Sequence, residues 1–351
     1  MTRATRQFDI GIMHGEGIGY EIIEQTKRVL SAISKKFNID FEYHIGPTVR
    51  TPVKTKRGIV NAIYRFYDYA LENKIPVISG ALSGGLVYSI RKRFDLYYKL
   101  VPIQSIPGFR TAVHKGDIDI LLIRQNSVGE YFGKHGFLKH NDRKRIAYQN
   151  IRYSEEDIDK LAGVAFEYAT KKRRKVTLLL KEDGLPHISR LWREVFENRC
   201  EKNSGIELEV LNVDAGAGQL ISKPSDFDVV VTLNHDGDII CDVLISFVHG
   251  SRGMGCSANF SDDGLAVYQT VHGGAMDLAG RNTANPMGQI FSAAMMLECS
   301  FGLEREARTI KKAIGTVLSE GYRTVDIFQN GCKLATTQEM CTLIAEAIFN
   351  D

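Results

Sequence analysis

FDIGIM, residues 8 to 13, runs straight into HGEGIGYE, residues 14 to 21: a buried apolar strand followed by a glycine-rich turn. The next apolar positions, Ile22, Ile23, Thr26, Leu30, Ile33 and Phe37, recur at helical spacing, so the chain opens β then α. Glycines at a strand-to-helix turn invite a dinucleotide reading, because they let a phosphate approach backbone amides. The spacing refuses it. Gly15, Gly17 and Gly19 are two apart each time, and Tyr20 stands where G-x-G-x-x-G needs its third glycine. A tight turn near a ligand is expected here, and a nicotinamide cofactor would bind elsewhere.

Outward from this unit the pattern repeats. Ile39, Phe41, Tyr43 and Ile45 alternate as a half-buried strand, and short apolar strands follow at 75–79, 118–123, 175–180 and 228–233, with helical segments among them. Ser154 and Asp157 form a capping box for a helix running to about Thr170. The basic run KKRRK, 171 to 175, then complements the helix dipole and reads as a solvated terminus, not a nucleic-acid patch. Residues 132 to 153, polar and aromatic with little helical period, predict a protruding hairpin or arm. From Asn285 to about Gly302 a Met-rich apolar helix opens with Pro286 in its first turn, Met295 and Met296 filling core.

A length of 351 residues predicts two domains, and 44% apolar with 25% charged residues predicts a soluble globular chain. The net charge of +3 gives no global reason to expect nucleic acid or an anionic membrane. Six cysteines without a C-x-x-C pair fit reduced thiols, hence a cytoplasmic setting. The N-terminus enters strand sequence without a signal-like apolar run, so export and membrane insertion are not expected.

TLNHDGDIICD, residues 232 to 242, carries the most chemistry. Asp238 and Asp242 lie four apart and share a face if the segment is helical, an oxygen pair suited to Mg²⁺ or Mn²⁺. Asp214 in NVDAGAG offers a third oxygen, and His235 is read as peripheral.

These pieces, with SIRKRFDLY (89–97), IRQNSVGEYFG (123–133), LLLKEDG (178–184) and VHGGAMDLAGRNTANP (271–286), stand in an order that resembles the isocitrate and isopropylmalate dehydrogenase family. The resemblance implies an α/β, isopropylmalate-dehydrogenase-like two-domain fold with a non-Rossmann NAD site and an intersubunit β arm near 132–153. It implies a large domain from 1–96 and 249–351, the latter carrying the NAD-binding loop, with a small domain at 97–248. The site would lie in a cleft and be shared across a homodimer.

Residue by residue, the resemblance makes Asp238 and Asp242 metal ligands and Asp214 a ligand lent by the neighbouring subunit. Lys181, also lent, would take the hydroxyl proton, and Tyr131 would protonate the enol carbon. Arg91 and Arg124 would clamp substrate carboxylates. Val87, Tyr88 and Val101 would line the substrate, and His272, Gly273, Ala275, Asp277 and Asn285 the cofactor. A carboxylate at Asp277 favours the ribose hydroxyls of NAD over a 2′-phosphate.

Four departures from the family pattern bear on substrate. Val101 stands where a third clamp arginine is usual, Gln125 replaces a glutamate and Asp183 an asparagine. Gly85, Val87 and Tyr88 replace the γ-carboxylate contacts of isocitrate enzymes, in a lead-in, GALSGG (80–85), that is shorter than usual. The resemblance implies NAD-dependent, Mg²⁺- or Mn²⁺-dependent oxidative decarboxylation of a substituted malate-type 2-hydroxy acid, isopropylmalate- or isocitrate-like, and these departures leave a non-standard acid open. Lys99 would face the side of Val101 on an extended segment and offer a compensating cation. Two alternatives stay open: a tartrate- or malate-type dehydrogenase, and a non-catalytic regulatory subunit of a heteromeric enzyme.

Overall fold

The computed structural model describes residues 6–49, 57–82, 84–111, 117–139 and 144–350; the tip of the expected arm, 140–143, and Ser83 of GALSGG lie outside them. In chain order the first elements are β1 (Arg6–Met13), α1 (Gly19–Phe37), β2 (Ile39–Ile45), α2 (Arg57–Glu72), β3 (Val77–Ser79), α3 (Gly85–Arg93), β4 (Tyr98–Gln104) and β5 (Asp119–Gln125). Then come β6 (His135–Lys139), β7 (Arg145–Gln149), α4 (Glu155–Thr170), β8 (Lys175–Leu180), α5 (Pro186–Glu201), β9 (Glu207–Asn212), α6 (Val213–Ser222), β10 (Val229–Thr232) and α7 (Asn234–His249). The chain closes through β11 (Cys256–Phe260), β12 (Ala266–Thr270), α8 (Met287–Cys299), α9 (Glu304–Ser319) and α10 (Thr337–Asn350). The architecture is α/β, with parallel and antiparallel strand pairs.

The chain divides into two compact units. The first comprises Met1–Ile90, Gln104–Gly116 and Ile245–Asp351, and the second Arg91–Ile103 and Asp117–Leu244. In the first, strands run in the order β2-β1-β3-β12-β11, all pairs parallel except β11 with β12. Helix α1 lays Ile22, Ile23, Thr26, Leu30 and Ile33 inward, the stripe its spacing predicts, while Phe37 at its end is only half buried. Met295 and Met296 of α8 are core residues, as expected. Pro286 precedes α8 as its N-cap, one position earlier than the first-turn place read from the sequence.

In the second unit the order is β4-β5-β10-β8-β9, and β5, β10, β8 and β9 pair parallel. Parallel strands covered on both faces need apolar runs, and β8 and β10 supply them. The capping box of α4 is present: the Ser154 hydroxyl accepts from the Asp157 amide, and the Asp157 carboxylate accepts from the Ser154 amide. The basic run after α4 is paired more closely than a solvated terminus requires. Lys172 reaches Asp119 and the buried Asp228, and Arg173 donates to the carbonyls of Ser225 and Phe227. β6 and β7 form the antiparallel hairpin expected within 132–153, with Phe137, Leu138, Ile146 and Tyr148 exposed.

Candidate active site

In the second unit, β10 ends in Thr232 and α7 begins at Asn234, and this junction sets the geometry. Asn234 is fully buried. Its side-chain oxygen accepts from Arg124 Nε and Nη2 at 3.1 and 2.7 Å, and its amide nitrogen donates to the Val128 carbonyl at 2.6 Å. Arg124, on β5 and also fully buried, is thereby held flat, and its remaining amino group donates to Asp238 Oδ1. Tyr131 donates to Asp238 Oδ2 at 3.1 Å, while the Arg124 guanidinium lies 5.7 Å from the centre of its ring. Burial alone would raise the Asp238 carboxyl, but Arg124, Lys99, the Tyr131 hydrogen bond and Arg91 outweigh it and hold the group below its ordinary range.

Three of the residues singled out from the sequence are therefore in one place: Arg124, Tyr131 and Asp238. Asp242 follows one turn later on α7, so the helical face expected for the pair is present. Cys241 lies between them in sequence, and burial pushes its thiol up to about 11, so at neutral pH it is protonated and no thiolate competes. What faces outward is a pair of carboxylates, the hard oxygen donors that suit Mg²⁺ or Mn²⁺. His235 is exposed, 5.8 Å from the Tyr131 ring centre and beside Asp236, outside this donor set.

Lys181 and Asp214 make a second pair, Nζ to Oδ2 at 3.0 Å, partly open to solvent, with Lys181 near enough to the start of α7 to act on Asp236. The hydrogen bond from Lys181 is the main reason the Asp214 carboxyl sits below its ordinary range. Among the described residues of one chain, Asp214 does not join Asp238 and Asp242 in a three-carboxylate cluster; the one such grouping with histidine is Asp9, Glu42 and His44 at the β1–β2 edge. There His44 bonds Asp9 and Gln7 bonds Glu42.

Some of this could not be read from spacing. Tyr153 donates to Glu130 at 2.8 Å and accepts from the Asn234 backbone amide at 3.2 Å, so it fixes the start of α7 and the residue next to Tyr131. Its burial raises its phenol further above the ordinary range. Gln125 keeps the structural half of the glutamate it replaces, accepting from the amides of Ser127 and Val128 at 3.0 Å each while carrying no charge. Lys99 is buried on β4 beside Val101, and desolvation pushes its ammonium down to about 8. Arg91 is buried near the end of α3, with Val87 and Tyr88 half buried on the same helix. Asp183 is exposed, and nothing in the structure explains its replacement of asparagine.

In the first unit the glycine segment forms the tight turn its sequence predicts. Gly15 and Gly17 have φ of 74° and 56°, and a Cβ on Gly17 would sit 1.8 Å from the Gly274 carbonyl oxygen. Ile18 N–H donates to that oxygen at 2.8 Å, and Glu16 N–H to the Ala81 carbonyl at 2.7 Å. The turn is filled by the protein's own backbone, and its product is a fixed 272–279 loop. Ala275, Leu278 and Ala279 pack on Ile18, Ile22 and Ala284, which leaves Asp277 and Gly273 exposed. His272 bonds the Gly273 carbonyl at 2.8 Å. Asn285 is already engaged at both ends of its side chain, donating to Asp326 at 3.1 Å and accepting from the Met287 amide at 2.9 Å. A rigid loop presenting an exposed carboxylate fits an adenosine ribose.

A family model described as isocitrate/isopropylmalate dehydrogenase matches residues 9–344. A 3-isopropylmalate dehydrogenase from Aquifex aeolicus is 36% identical, with 97% of each chain covered. One of the same name from Clostridium acetobutylicum is 35% identical over 97% of this chain and 99% of its own. Among solved structures, isocitrate dehydrogenase from Methylococcus capsulatus superposes with a TM-score of 0.84 at 27% identity, covering 97% of this chain and 99% of that one.

Proposed function

The chain belongs to the isocitrate/isopropylmalate dehydrogenase family, decarboxylating enzymes that act on a CH–OH donor, and on that premise we propose that it oxidises and decarboxylates a malate-type 2-hydroxy acid with NAD and Mg²⁺ or Mn²⁺. The observation that carries this reading is the Arg124–Asn234–Asp238–Tyr131 cluster, in which one carboxylate is held ionised beside a buried guanidinium and a phenol. Asp238 and Asp242 would hold the cation from this chain, with Asp214 from a second copy. The cation would supply Lewis-acid polarisation of the substrate oxygens, and NAD would supply the hydride acceptor.

The chain's own residues do the rest. Arg124 and Arg91 grip substrate carboxylate, Arg124 with a plane already set by Asn234. Lys181 Nζ takes the hydroxyl proton, and Tyr131 Oη gives a proton back to carbon once CO₂ has left. The partly exposed Lys181–Asp214 pair would serve the site of a second copy. The exposed apolar side chains of the β6–β7 hairpin would then be the arm joining the two, in a cytoplasmic homodimer.

The test is a panel of 2-hydroxy di- and tricarboxylates, including malate, tartrate, isopropylmalate and isocitrate, assayed with NAD and Mn²⁺. Turnover of at least one with release of CO₂ is expected, and none at all would favour the regulatory-subunit alternative. In the same assay NAD should give the higher kcat/KM than NADP, because the exposed Asp277 carboxylate accepts from ribose hydroxyls and repels a 2′-phosphate. Asp277→Lys should shift that ratio toward NADP by at least about tenfold, one to two charged contacts being exchanged. An unchanged ratio would remove Asp277 from the cofactor site.

A further inference from the structure

We propose that Lys99 determines which acid this enzyme accepts, its buried ammonium holding a substrate carboxylate beside Arg91 and Arg124. The inference rests on the 2-hydroxy-acid reading above and names the group that would decide the substrate within it.

Lys99 is 3% exposed on β4, and among the described residues its ammonium makes no hydrogen bond or ion pair. Other partly buried cations of the same unit are matched: Lys172 with Asp119 and Asp228, Lys175 with Glu209, Lys181 with Asp214. The charges acting on Lys99 are two guanidinium groups, Arg91 and Arg124, and one carboxylate, Asp238, with Cys241 as a neutral thiol. Asp238 is already bonded to Arg124 and Tyr131. Three buried cations thus share one half-exposed carboxylate.

A lysine kept only for packing extends its stem and puts the charge in water or on a partner. Lys99 does neither, so the negative charge this cluster lacks must arrive with a ligand. The ligand of a site built around carboxylate-gripping arginines is itself a carboxylate. Val101 is fully buried two residues further along the strand and can donate nothing. Same-face positions on a strand are roughly 6.5 to 7 Å apart, so the carboxylate held here sits nearer position 99 than one gripped from 101. A compact ammonium with three rotatable donors also accepts a carboxylate in more orientations than a guanidinium fork. The accepted acid therefore differs in where its second carboxylate lies relative to its hydroxyl.

The experiment is calorimetric binding of D-malate and of 3-isopropylmalate to the intact enzyme with Mn²⁺, with NAD binding and Tm measured in parallel. Lys99→Met should weaken binding of whichever acid the native enzyme binds better by ten- to a hundred-fold, the loss of one charged contact. NAD affinity should stay unchanged and Tm should hold or rise, since an unpaired buried charge has been replaced by an apolar side chain of similar length. Lys99→Arg, which keeps the charge, should retain affinity within about tenfold, and Lys99→Met with Val101→Arg should shift preference toward 3-isopropylmalate. Native-like acid binding by Lys99→Met would overturn the assignment, as would a fall in Tm and NAD affinity together, the mark of a structural lysine. If the native enzyme binds NAD and Mn²⁺ but no acid of the panel above, the 2-hydroxy-acid reading fails and Lys99 loses its role with it.

Discussion

Lys181→Met is expected to lower kcat by about two to four powers of ten, the usual worth of a positioned general base, with no NADH formed in a first turnover. Tyr131→Phe should lose a similar factor in steady state but still release a first equivalent of NADH, because its phenol acts after the hydride has gone. The sharper expectation comes from mixing. On the proposed shared site Lys181 and Asp214 come from one copy and Asp238 from the other, so a Lys181→Met chain and an Asp238→Asn chain would damage different halves of it. Each variant alone should be inactive. Refolded together one to one, half of the dimers are mixed and each carries one intact site, giving about a quarter of native activity. Activity that stays at zero after mixing would place both residues in the site of a single chain. Wild-type rates in both Lys181→Met and Tyr131→Phe would revive the regulatory alternative.

Removal of the divalent cation should have the other large effect. If Asp238 and Asp242 hold the cation as proposed, their oxygens favour a hard ion over a soft one. Exhaustive chelation should therefore lower turnover by at least about a thousandfold, the Lewis-acid contribution being several kcal/mol, and Mg²⁺ or Mn²⁺ should restore it. Asp238→Asn should raise the Mn²⁺ concentration needed for half-maximal rate. The substitution also leaves the buried Arg124 without its carboxylate, so a lower Tm is expected alongside. Undiminished turnover after chelation would sink the metal assignment.

The local elements were legible because their causes are local. KVTLLL is β8 residue for residue, Ser154 and Asp157 start α4, and the aspartates four apart at 238 and 242 do share a helix. What escaped the sequence depends on partners distant in the chain. Asn234 looks like an ordinary helix-start residue until Arg124 and Val128 are seen on its two ends. Tyr153 falls within a stretch read as an arm, yet it organises Glu130 and the start of α7. The glycine turn was legible only in part, for the same reason. A positive φ and a close approach are visible in composition, but whether the approaching oxygen belongs to a ligand or to Gly274 is not. Lys99 is the reverse case: its position facing Val101 could be read, and its lack of a partner could not.

The hydrogen bond from Ile18 to Gly274 also fixes an order of events during synthesis. The second unit is complete once Leu244 has left the ribosome, whereas the first waits for everything from Ile245 onward. Until then α1 has no α8 or α10 to cover it, and the turn at residues 15–19 has no residue 274 to close upon. Contacts so distant in sequence form slowly, since the chain between them must lose its freedom first. The carboxylate-and-arginine centre can thus be in place while the loop bearing Asp277 is still unmade. The unit that carries Arg124 and Asp238 is thus made whole before the unit that carries Asp277, and α1, though among the first helices made, is among the last to be covered.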